Sequence, residues 1–277
     1  MDNNGHGSYV NQLIQNVSES KCSITNYCFL NKELRGKSRD LLIMLENIPL
    51  DTDIINLSLS TSMIDYAEDL ERVCKKLVQK NITIIASISN KTEPSYPADF
   101  PCVLGIKGYF LNNSKKIRYE INKKMNIIAD KSPVVVRDID GKFNFFGGNS
   151  KSTAYVSGVL AQKIRKEGFS LNGYLAEIGE VNEEDLYDIY SFEYGPRAKD
   201  YDAFKLKMIE LILEDTFEMK YKDYENLRIE NVFTNGSKTL TKLLHSLMAE
   251  FNFDMDKKLI RIIDFKNAYS IYDAFNL

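Results

Sequence analysis

Two short β-branched runs flanking one amphipathic helix constrain this chain more than any other feature. Ile54-Ile55-Asn56-Leu57-Ser58-Leu59 and Ile82-Thr83-Ile84-Ile85-Ala86-Ser87 have the length and composition of buried strands. Between them Tyr66, Leu70, Val73 and Leu77 recur at helical spacing. Strand–helix–strand alternation implies an α/β fold, a parallel sheet with helices on both faces. The pattern extends both ways. Val10, Leu13, Ile14 and Val17 mark a helix from Ser8; Leu41, Leu42 and Leu45 mark another over residues 35–48, with a strand expected at Tyr27–Leu30 between them. Further strands are expected over 102–106, 117–121, 127–128, 134–136 and 143–146.

The last of these strands feeds into Gly147-Gly148-Asn149-Ser150-Lys151-Ser152-Thr153-Ala154-Tyr155-Val156-Ser157-Gly158, a glycine pair and a serine opening an apolar helix. A serine there can be a cap whose oxygen accepts a free backbone N–H. It can equally be a nucleophile, because glycines admit substrate and a helix start favours developing negative charge.

Composition narrows the classes. The chain has 277 residues, a length that suits two domains, and its net charge of −3 carries no arginine-rich stripe for nucleic acid. No apolar run approaches a membrane span, and Met1-Asp2-Asn3-Asn4-Gly5-His6 lacks the basic start and apolar core of a signal peptide. Cys22, Cys28, Cys74 and Cys102 have no CxxC spacing, which suggests reduced thiols in a cytoplasmic protein. Only two histidines, His6 and His245, are present, so no metal cluster is expected. Residues 168–200 carry 2 basic against 8 acidic side chains and read as a solvated acidic connector. That gives domains at 1–168 and 201–277, joined by 169–200.

Five pieces of the first domain, in order, resemble the subtilisin-like serine proteases. Asn4-Gly5-His6-Gly7-Ser8-Tyr9-Val10 resembles the family's histidine motif, and Ile55-Asn56-Leu57-Ser58-Leu59 its substrate-edge strand. Ala86-Ser87-Ile88-Ser89-Asn90 falls at the oxyanion segment, and Tyr96-Pro97-Ala98-Asp99-Phe100-Pro101-Cys102-Val103 matches a Tyr-Pro-Ala-x-Tyr-Pro-x-Val run. Gly148-Asn149-Ser150 through Gly158 resembles the serine motif Gly-Thr-Ser-Met-Ala-Ser-Pro-His-Val-Ala-Gly. The resemblance implies Ser150 as nucleophile, His6 as general base and later acid, and Asn90 with the Ser150 N–H as oxyanion donors. It also implies Leu57, Ser58, Leu59 and Ser60 as the edge that binds substrate.

The departures from the family pattern are specific. Its triad Asp lies on a strand upstream of the histidine motif; this sequence has no Asp-Ser/Thr-Gly strand, and Asp2 lies within the motif itself. Losing that carboxylate lowers turnover by a factor on the order of 10⁴; an upstream segment or another chain supplies it, or the sheet has closed up differently. Ser60-Thr61 replaces a Gly-Gly edge, the Gly before Asn90 is missing, and Ala154 replaces Pro.

Beyond residue 200, Leu240, Leu243, Leu244, Leu247, Met248 and Phe251 form the most regular helical stripe in the chain. Together with a helix from Phe204 and a last one through Ile271, this predicts an all-α four-helix bundle. It resembles an acyl or peptidyl carrier domain: Ser237 opens the second long helix, as the phosphopantetheine-bearing serine does, with Phe251 following on the same helix. Gly236 replaces the family's Asp and Lys238 its Leu, and Ser237 as a plain N-cap is the alternative.

These readings yield a serine hydrolase acting on a peptide or on a carrier-tethered acyl or peptidyl thioester. The alternatives are a protease-like adaptor that binds peptide along Leu57–Ser60 by strand addition, or a carrier in a peptide-assembly pathway with the protease-like part as its docking platform.

Overall fold

The computed structural model describes residues 5–19, 22–31, 33, 35–62, 65–89, 94–121, 124–164, 169–186, 200–233, 237–253, 255 and 259–277. It is a mixed α/β protein whose chain divides into two units, residues 1–131 with 147–186, and residues 132–146 with 187–277.

The first unit contains α1 (His6–Val17), α2 (Ser38–Glu46), β1 (Ile54–Leu57), α3 (Ala67–Val78), β2 (Thr83–Ser87), β3 (Leu104–Tyr109), β4 (Ile117–Ile121) and β5 (Met125–Asp130). Its sheet runs β1-β2-β3-β5-β4, parallel through β5, with only β4 antiparallel. Strand periodicity sorts the faces. Ile55 and Leu57 of β1, with Ile84 and Ala86 of β2, join Leu41, Leu45, Leu70, Val73 and Leu77 in one core. Asn56, of opposite parity, reaches the other face and donates to Ser157 Oγ at 2.8 Å.

Ser157 belongs to a long helix, Gly148–Ile164, the central element of the unit; the hairpin of residues 132–146 precedes it and belongs to the second unit. Numbering in chain order, this helix is α4. It is buried almost all round because its sequence is small: Ala154 and Gly158 give room, while Thr153 and Ser157 turn their hydroxyls back onto the carbonyls of Asn149 and Thr153 (2.7 and 2.9 Å). At Gly158 a Cβ would lie 2.7 Å from Val17 Cβ and 3.0 Å from the Ile14 carbonyl, so only glycine lets α1 pack this closely.

Residues 169–186 do not form a solvated connector. They fold as α5 (Leu171–Glu177) and a 3₁₀ turn (Glu183–Asp185), and Tyr119 of β4 bridges to Glu180. Asp185 is buried because Lys116 and Arg118 offer it three donors, the shortest at 2.8 Å. That pairing holds its carboxyl down to about 2. The strand expected at Tyr27–Leu30 is also absent. The segment is irregular, with Phe29 packed against the core as a plug and Tyr27 and Cys28 exposed.

The second unit is not all-α. Strands β6 (Val134–Arg137) and β7 (Phe143–Phe146) form an antiparallel hairpin within it. The reason is aromatic: Phe145 packs edge-on to Phe233 (5.0 Å) and Phe265 (6.2 Å), and Val134 bridges to Arg261. The helices are α6 (Ala203–Phe217), α7 (Tyr221–Glu225), α8 (Ile229–Val232), α9 (Ser237–Phe251) and α10 (Ala268–Phe275). Leu240, Leu243, Leu244 and Leu247 of α9 are fully buried, as the stripe predicted. Among the described residues no helix is long and apolar enough to cross a membrane.

Candidate active site

His6 and Ser150 lie far apart in sequence but line one cavity of about 420 Å³. His6 is the first residue of α1 and Ser150 lies in the first turn of α4. The helices run in the same sense, their starts at the cavity and Val17 meeting Gly158 further along. Gly148, at φ +77°, turns the chain into α4 through the left-handed region, so the Gly pair in the sequence has a structural use.

Asn149 fixes this turn to the sheet. Its Nδ2 donates to the Ile88 carbonyl (2.7 Å) and its Oδ1 accepts from Gly108 N–H (2.8 Å), crossing from β2 to β3. The Ser150 hydroxyl donates to the Ser58 carbonyl at 3.3 Å. Ser58 Oγ donates to Asn56 Oδ1 (2.9 Å), with the Ser150 carbonyl oxygen also within 3.4 Å. The backbone N–H of Ser150, in a first helical turn, has no intrahelical acceptor.

Two walls enclose the cavity. One is Ser58, Leu59, Ser60 and Thr61, which continue β1; the other is Phe29, Leu30, Arg35, Gly36, Ser38 and Leu41. Leu57 instead buries its side chain in the core, so of the four expected edge residues it can offer only backbone. Among the lining residues Arg35 carries a full charge and no carboxylate appears. Asn90 lies outside the described residues. Ser237 is half-buried at the start of α9, in the second unit.

Sequence reasoning missed Lys151. It is fully buried and donates to both Oδ2 (3.0 Å) and the carbonyl (2.8 Å) of Asp130, itself fully buried at the end of β5. Asp130 Oδ1 accepts from Leu111 N–H (3.1 Å), so one ion pair ties β5, the exit of β3 and the turn bearing Ser150. A lysine among the small residues of the helix's first turns was the available signal; its partner is not visible in sequence.

No protein-family profile matches the chain, and no curated protein matches it. Among solved structures it is similar to serine proteases of the subtilisin type. One is a cold adapted subtilisin-like serine proteinase (TM-score 0.49, 18% identity), the alignment covering 60% of this chain and 63% of that one. Another is the prenylagaramide maturation protease PagA (TM-score 0.40, 23% identity, 48% of this chain and 51% of that one). Sphericase gives a TM-score of 0.41 at 18% identity over 53% of this chain and 56% of that one. The chain therefore spans less than two thirds of each.

Proposed function

We propose that the first unit is a serine hydrolase of the subtilisin-like type, acting on a peptide or a carrier-tethered acyl or peptidyl thioester. The observation carrying this reading is the shared cavity of His6 and Ser150. Ser150 Oγ leaves the Ser58 carbonyl and attacks the scissile carbonyl as His6 takes its proton; the protonated imidazole then gives that proton to the leaving group. The Ser150 N–H and Asn90 hold the oxyanion. An extended chain lies between the two walls and pairs with the backbone that continues β1.

The carboxylate that would orient His6 is assigned to an added strand from another segment or another chain. Among the described strands β1 and β4 are the outer ones of the sheet, and the β1 edge, next to the cavity, offers that strand a ladder. A fluorophosphonate probe should label the protein, and the label should vanish in S150A; an unlabelled Ser150, with and without strand peptides bearing an Asp, counts against the hydrolase.

A second reading, a peptide-binding adaptor, is favoured by the Ser150 hydroxyl resting on a carbonyl and by the lack of a carboxylate among the described lining residues. It predicts peptide binding unchanged by S150A and no labelling. In the second unit, the half-buried Ser237 at the start of α9 is compatible with phosphopantetheine attachment, while exposed Lys238 replaces the apolar neighbour of carrier domains. Attachment supplies a flexible thiol for an acyl or peptidyl group. Intact mass after incubation with coenzyme A and a broad transferase should show one adduct, lost in S237A.

A further inference from the structure

We infer that Arg35 sets what the cleft accepts: a peptide with an aspartate or glutamate side chain in the stretch held between the two walls. The inference rests on the reading of the cleft as a peptide site and names the chemistry of that peptide.

Arg35 is fixed by its backbone alone. Its N–H donates to Asn31 Oδ1 (2.9 Å) and its carbonyl accepts from Asn31 N–H (2.9 Å). At the next residue, Gly36, the Phe29 ring lies where a Cβ would stand. The Arg35 side chain takes no part in this. It is exposed, it lines the cavity, and among the described residues no carboxylate pairs with it. An arginine that serves the fold brings its planar fork to a carboxylate, as Arg118 does at Asp185 (2.8 Å). Exposed Lys37 and Arg39 follow, also without an ion pair among the described residues. This wall is therefore held rigidly in its main chain while it turns unneutralised positive charge outward.

The rest of the lining has the same preference. Besides His6 and Arg35, its polar side chains are the hydroxyls of Ser38, Ser58, Ser60, Thr61 and Ser150. Ser58 and Ser150 donate to Asn56 Oδ1 (2.9 Å) and the Ser58 carbonyl (3.3 Å), and Ser38 meets Thr61 across the walls at 3.4 Å. The exposed Ser60 hydroxyl, on the wall facing Arg35, is left as a donor. A carboxylate in this cleft meets N–H donors from one side and an O–H from the other. A neutral amide in its place forgoes the charge-assisted bond, and an ammonium is repelled. The carboxylate belongs to a side chain rather than a chain end, because a substrate crossing Ser150 continues on both sides of the reacting carbonyl.

The test is peptide binding to the full chain carrying S150A, so that no turnover interferes. Short peptides, acetylated and amidated at their ends, place one Asp at each position in turn, each with an Asn twin. At a particular position Asp should bind about tenfold tighter than Asn, the gap shrinking as salt is raised. Adding R35Q should erase the gap, R35K should keep part of it, and R35E should reverse it in favour of Lys at that position. These variants should melt as the parent does, since the bonds to Asn31 are made by backbone atoms. Equal binding of Asp and Asn twins at every position overturns the inference and leaves a neutral peptide cleft. A preference that survives R35Q, or a gain seen only with a free C-terminus, overturns it as well. A cleft that binds no peptide overturns it together with the reading beneath it. Asp-selective binding by a chain whose Ser150 takes no fluorophosphonate label removes the hydrolase and supports the inference.

Discussion

The two walls of the cleft are built on different principles. The Ser58–Thr61 wall continues a sheet strand and is tied to α4 through Asn56, Ser58 and Ser150, and to the segment around Pro97 through Tyr96. Among the described residues, the Phe29–Ser38 wall has no strand or helix before Ser38. Asn31 braces it: its Oδ1 accepts from the N–H groups of Glu33 (3.0 Å) and Arg35 (2.9 Å), and its own N–H donates to the Arg35 carbonyl (2.9 Å). The first wall inherits the stability of the core, whereas the second is a local turn over a single aromatic plug. A cleft so built has a fixed register on one side and adaptable shape on the other.

The largest expected effect strikes beneath the fixed wall. K151M leaves Asp130 charged and buried without its partner and should cost about 3–5 kcal/mol in chemical denaturation, while the double variant K151M/D130L should recover most of it. If K151M alone is neutral, the ion pair does not anchor the Ser150 turn. Next, G158V forces α1 off α4 and should cost roughly 1–3 kcal/mol, with a disproportionate fall in Ser150 labelling because His6 moves with α1. Equal losses in stability and labelling would mean that α1 does not set the His6 position.

Acid sharpens the comparison from outside the cleft. Asp185, held down to about 2 chiefly by its bond to Arg118, binds fewer protons folded than unfolded. Its stabilisation is therefore present above the ordinary carboxylate value and fades as pH falls through about 2. D185N should be less stable at neutral pH and show a flatter acid limb; an unchanged limb breaks the assignment. The smallest effect belongs to the adaptable wall. N31A should cost about 1 kcal/mol or less, yet raise proteolytic nicking over 29–36.

What could be read beforehand follows the range of the interactions. Strands β1 and β2 and helices α1, α3 and α9 were legible because their burial is written in local periodicity. The Tyr27–Leu30 run has the same apolar signature, but only Phe29 and Leu30 find something to cover and no neighbouring strand offers hydrogen bonds. Residues 169–186 looked solvated by charge count, since the cations that let Asp185 sink, Lys116 just before β4 and Arg118 on it, are distant in sequence. The 132–146 hairpin looked like part of the first domain by chain order, and its aromatic partners Phe233 and Phe265 are a hundred residues away. The juxtaposition of His6 and Ser150 was legible only through the order of motifs.

The shared direction of α1 and α4 has an electrostatic consequence. Neither helix has an acidic residue in its first turn, so two macrodipoles, each worth about half an elementary charge, add at the same opening. Together with Arg35 they make a field that draws anions inward, felt over about 10 Å at 0.1 M salt and weaker in more. Side-chain counting puts a modest charge on this mouth; the backbone roughly doubles it.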